Sequence, residues 1–201
     1  GVADSVPKLV THEILKPVFA MPRTVHVICR EGKIEDLLGQ LAAHRLDIVL
    51  ADEPASSSHR IRVFDHKLGE SGVTFFATAA LANRLRKGFP KSLQDAPALL
   101  PAESTSLRRS LERWFQEVGV RPQVVADFED AALMKVIAAE GRGFIALPSV
   151  VSDEAIARFD LRAIGTSDRC RVEFHAITAE RRITHPAVNV ITQEARVLFA
   201  K

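Results

Sequence analysis

A chain of 201 residues, 47% of them hydrophobic and 26% charged, has material for one ordinary globular domain or two small lobes with separate cores. Its 27 Lys and Arg against 25 Asp and Glu leave a net charge of +2, mixed along the chain without a run of five or six of one sign, which excludes the basic stripe that nucleic-acid binding requires. The apolar runs are far shorter than a membrane span, and Cys29 and Cys170, distant and each inside a strand-like segment, read as buried thiols in a reducing compartment rather than as a disulfide framework.

The chain opens on Gly1 in what reads as the end of a first strand, so a preceding segment is expected outside this sequence. No basic, apolar and cleavage regions follow one another there, and the chain is read as cytoplasmic. Asp4 and Ser5 suit a helix cap and Pro7 a first turn; Leu9, Val10, Ile14, Leu15 and Val18 then mark one apolar face, with Pro17 expected to kink or split the helix. Residues 25–30 read as a strand, 35–44 as a helix and 46–51 as a buried strand. Strands are expected over 60–64 and 72–78, separated by a polar turn at 66–71.

A second series of similar units begins near residue 79. A short strand over 98–100 leads to Ser104, Thr105 and Ser106, which introduce a helix with Leu107, Leu111, Trp114, Phe115 and Val118 on one face; Gly119 stops it and Pro122 follows. A strand over 123–128, a helix over 130–139, a turn at Gly141 to Gly143, a strand over 144–147 and a short helix near 150–158 come next. A strand over 171–178 and a helix over 186–199 close the chain, and this alternation predicts an α/β fold with parallel pairing.

The stretch CREGKIEDLLGQLAAHRLDIVLADEP at 29–54 carries a resemblance: Glu31 and Gly32 end a strand, Leu37, Leu38 and Leu41 mark a helix, and a Leu-Asp strand closes the unit. In this the chain resembles the sensor half of LysR-type transcriptional regulators, over essentially its whole length. The phrases AHRLDIVLADEP, LGESGVTFFA, LRRSLERWF, DAALMKV and ERRITHPAV bring it nearest to regulators of sodium/proton antiporter expression, with His44 and Arg45 where most of the family has a glycine. The resemblance implies two Rossmann-like lobes with two crossover strands, similar to type 2 periplasmic binding proteins. The expected lobes are residues 1–74 with 179–201 and residues 77–172, with hinge strands near 72–78 and 171–178. The family's winged helix-turn-helix lies outside this chain.

Enzyme signatures are poor. His12 and Glu13 start an HExxH-like phrase, but position 16 is Lys, and no CxxC, GxSxG or GxGxxG occurs. Strand alternation puts His26 and Cys29 on opposite faces, which argues against a catalytic pair. Helix starts after strands are the more promising places, because they offer N–H groups and a positive dipole end. The resemblance implies an effector cleft between the lobes, lined here by Ser5, Lys33, Ser104, Thr105 and Phe128. Ser5 and Ser104 are equally readable as N-caps, each contributing about 1 kcal/mol. Arg108 and Arg109 oppose their helix dipole and either pair with Glu103 or face a ligand, while Trp114 and Phe115 read as core. Asp4, Glu31, Asp127, Glu129 and Asp130 are candidates for a hard cation, or simply stabilise helix starts; no metal site is established by spacing.

The expected function is effector sensing without catalysis and without a cofactor. A small effector or monovalent cation, sodium by the resemblance, binds a homodimer or homotetramer whose DNA contacts lie in the absent domain. The dimer surface is expected around Val10, Ile14, Val18, Leu37 and Leu41. The alternatives are a solute-binding protein of a transport system and a small metabolic enzyme of the same architecture.

Overall fold

In the computed structural model, which describes residues 1–55 and 62–200, the chain divides into two units, residues 1–70 with 173–201 and residues 71–172. The elements run β1 (Val2–Ala3), α1 (Lys8–Phe19), β2 (Glu31–Gly32), α2 (Ile34–Ala42), β3 (Val49–Ala51) and β4 (Phe64–Ala77). There follow α3 (Ala79–Arg86), β5 (Pro97–Pro101), α4 (Ser106–Val118), β6 (Gln123–Phe128) and α5 (Ala131–Ala139). The chain then forms β7 (Ile145–Pro148), α6 (Ser152–Phe159), β8 (Arg162–Thr178) and α7 (Pro186–Phe199).

In the first unit β1 pairs in parallel with β2 on one side and β3 on the other, and β3 pairs antiparallel with β8 through Ala51 opposite His175. The i, i+4 and i+8 spacing of Val10, Ile14 and Val18 puts them on one stripe of α1, which packs against α7. Leu37, Leu38 and Leu41 of α2 are likewise buried, and burying such a side chain contributes about 1.5–3 kcal/mol. These five interface candidates, Val10, Ile14, Val18, Leu37 and Leu41, are core of a single chain and present no surface to a partner.

The second unit pairs β5 with β6 in parallel and β4 with β7 antiparallel. Its core is aromatic: Phe75 stacks on Trp114 at 4.8 Å between ring centroids, with Phe89, Phe115 and Phe144 around it. Gly119 ends α4 at φ +63°, a left-handed conformation that a side chain resists, and its N–H returns to the carbonyls of Phe115 and Gln116.

Several expectations are corrected. Residues 25–30 form no strand; the backbone reaches β1 only where Val2 N donates to the Arg30 carbonyl and through the two-residue β2. The strand expected over 46–51 begins at Val49. Of the strand expected over 60–64, residues 60 and 61 lie outside the described residues, and Phe64 opens β4. The polar turn at 66–71 does not form, because β8 supplies partners for it: Lys67 meets Glu173, and Gly69 lets the chain pass where a Cβ would lie 2.3 Å from Phe199. Polar side chains here mark a solvent-facing strand rather than a turn. For the same reason β8 starts at Arg162, nine residues before the expected 171. Pro17 does not split α1, since it lies in the last turn, where a missing N–H forfeits a single intrahelical bond. Cys29 is exposed, whereas Cys170 is buried and burial pushes its thiol up to about 12.

Candidate functional site

The carboxyl ends of β1, β2 and β3 gather one set of the candidates. Asp4 N donates to the Gly32 carbonyl at 3.1 Å, extending the ladder that pairs Ala3 with Gly32, so Asp4, Ser5 and Lys33 follow adjacent strand ends. Ser5 does not cap α1, whose first residue is preceded by Pro7; its hydroxyl donates to the carboxylate of Asp52, just past β3. Asp52 is 6% exposed and was not singled out by the sequence reading. The available signal was an acidic residue directly after an apolar strand, a place where a carboxylate is buried only with partners. Lys33 is exposed at the extended N-cap position of α2, whose first turn carries Glu35 and Asp36. Glu31 is ion-paired with Lys8.

The second unit gathers the other set at the ends of β5 and β6. Thr105, not Ser104, is the N-cap of α4: its hydroxyl accepts from Arg108 N at 3.2 Å and donates to the Ala102 carbonyl at 2.9 Å. Ser104 is exposed, and its carbonyl accepts from Arg109 Nη1 at 2.9 Å. Phe128, half-buried at the end of β6, accepts from Ala102 N at 2.8 Å and so ties the two strand ends together. Asp130 caps α5 by accepting from Ala132 N at 2.6 Å, and Glu129 beside it is exposed.

Arg108 is the organising side chain of this set. Only 7% exposed, it donates from Nε to Glu112 at 2.7 Å, and from Nη1 to the Pro101 carbonyl at 2.9 Å and to the Asp127 carboxylate. Its partners are therefore Glu112 and Asp127 rather than Glu103. Burial disfavours its charge, but the hydrogen bonds it donates to Asp127 and Glu112 outweigh that and raise its pKa. One guanidinium thus joins the end of β5, the first turns of α4 and the end of β6. Among the cation candidates, Glu31, Asp127 and Asp130 each have a protein partner, and Asp4 is exposed after β1.

No helix among the described residues is long and apolar enough to cross a membrane. The chain is 34% identical over 191 residues to the transcriptional activator protein NhaR of Escherichia coli (strain K12), a match that takes in 95% of this chain and 62% of the length of that relative. Among solved structures it resembles the regulatory domain of HypT from Salmonella typhimurium, with a TM-score of 0.69, 15% identity and coverage of 99% and 93% of the two chains. It also resembles the effector-binding domain of QuiR in complex with shikimate, with a TM-score of 0.66, 10% identity and coverage of 98% and 93%. The fold is the α/β fold of type 2 periplasmic binding proteins, as the family resemblance implied. The LysR substrate binding domain model matches residues 1–199, and this chain belongs to that family.

Proposed function

We propose that this domain senses a small effector for a transcriptional activator of sodium/proton antiporter genes, and that it catalyses no reaction. The 34% identity to NhaR over 95% of the chain carries this reading. The effector is a monovalent cation, sodium first, taken up at the strand ends. In the first unit the candidate carboxylates are Asp4 and Glu31, with Ser5 and Lys33 at the same strand ends; in the second they are Asp127 and Asp130, with Ser104, Thr105 and Phe128. The protein acts in the cytoplasm as a homodimer or homotetramer, and its DNA contacts belong to a domain outside this chain.

The partner surface is better sought in the exposed apolar side chains than in the buried stripes of α1 and α2. In the first unit these are Phe19, Ile28 and Val197, 70%, 64% and 57% exposed; in the second they are Val124, Val125, Leu133 and Val136.

A ligand bound only by the native state stabilises it by RT ln(1 + [L]/Kd). Thermal unfolding in sodium, lithium and potassium chloride at matched ionic strength is the test. A midpoint rise specific to sodium or lithium, abolished in Asp4→Asn with Glu31→Gln, is the expected result. Coincident midpoints in the three salts overturn the cation reading.

A further inference from the structure

β4 and β8 are the two strands along which the chain passes from one unit to the other, and in the first unit they carry Asp65, Lys67, Glu70, Glu173 and His175. His175 is 3% exposed; its Nδ1 lies 2.9 Å from Asp65 Oδ2 and its Nε2 lies 3.3 Å from Glu173 Oε2. An ionised carboxylate only accepts hydrogen bonds, and a neutral imidazole has one N–H to give, so both contacts are satisfied together only by the doubly protonated ring. The second oxygen of Glu173 accepts from Lys67 Nζ at 2.7 Å, and Lys67 also reaches Glu70 at 3.4 Å. The hydrogen bond from Lys67 holds Glu173 below the usual carboxylate range, and the same bond raises Lys67. Lys67 thus favours the anionic form of Glu173 independently of the ring.

The surroundings isolate His175 as the responsive member. On β4 the neighbouring His66 bonds the Thr178 hydroxyl at 2.9 Å, and burial, aided by Arg196 of α7, lowers its pKa and so disfavours its charged form. On the other side β3 places Ala51 opposite His175, and the next residue, Asp52, is held by Ser5.

We propose that His175 is a proton-operated latch between β4 and β8. With its proton, the ring links Asp65 on one strand to Glu173 on the other, and Lys67 closes the loop of charges. Without it, the shorter contact to Asp65 persists and the contact to Glu173 is lost, leaving two carboxylates beside a neutral ring. A proton thus acts as a ligand of the two passage strands, whether the effector is a cation or an organic molecule.

The test is amide hydrogen exchange at residues 65–67 and 173–175, expressed as protection factors, together with the His175 ring resonances from acid to alkaline pH. Protection is expected to fall about tenfold or more, the loss of one hydrogen bond to a charged group, in step with the ring titration. In His175→Gln the profile should be flat, and Glu173→Gln, which keeps the shape but removes the charge, should reduce it even if the first variant folds poorly. Wild-type protection that does not follow the ring titration, or an unchanged profile in either variant, overturns the latch.

Discussion

Lys8 in the first unit and Arg108 in the second both meet carboxylates at strand ends, yet their surroundings are opposite. Lys8 and Glu31 are each about half exposed, a pair that contributes roughly 0–1 kcal/mol and exchanges readily with water or ions. Arg108 is buried and bonds a carbonyl of β5, a carboxylate of α4 and a carboxylate of β6 at once. The cores differ in the same sense: aliphatic stripes of α1 and α2 in the first unit, a stacked cluster around Phe75 and Trp114 in the second. The second unit thus holds its strand ends in one geometry, whereas the first leaves side chains able to change partners. Adaptability belongs where side chains remain hydrated, because little is lost when they rearrange.

The largest test of that contrast is Trp114→Ala, which removes the centre of the aromatic cluster and should lower stability by about 3–5 kcal/mol in denaturant unfolding. Next comes Arg108→Ala against Lys8→Ala. The first should cost about 2–3 kcal/mol, below the full range for a broken buried pair because Asp127 and Glu112 are half exposed and rehydrate. The second should cost about 0–1 kcal/mol, and equal losses would break the comparison.

The smallest effect is on acid stability. The hydrogen bond from Lys67 depresses the Glu173 pKa in the folded state. Its contribution is therefore present above the unfolded carboxylate pKa and lost as pH falls through the folded value. Glu173→Gln should flatten the acid limb of a midpoint-versus-pH series slightly, and a limb as steep as in the unchanged chain would show that Glu173 has no part in it.

Much of the architecture was legible in the chain. The β6 and α7 bounds coincide with those read from periodicity, and Gly119 marked the end of α4, because these elements carry local signals of alternation, amphipathic spacing or chain reversal. Residues 66–71 misled because a strand with one wetted face reads like a turn until its partner strand is known. The missed α3 carries Arg84 and Arg86 in its last turn but no acidic residue in its first, and its side chains cap nothing at Thr78, so its local signals are weak. At the candidate site, Thr105 and Phe128 were named through the family resemblance, and they fall at the start of α4 and the end of β6. The contacts of Arg108 with Asp127, of Ser5 with Asp52 and of His175 with Asp65 join residues far apart in sequence, which single-chain periodicity does not encode.

The sequence by itself determined the α/β alternation and the apolar stripes, since residue spacing dictates which faces must leave water, and its resemblance to known sensors pointed to the family. Tertiary structure alone decided which polar side chains meet. It made Val10 and Leu41 core rather than interface, set Arg108 as a bracket across three elements, and enclosed His175 between two carboxylates. The physical reason is that apolar burial is nondirectional and follows from pattern, whereas hydrogen bonds and ion pairs require a particular partner at a particular distance, supplied only by the folded chain.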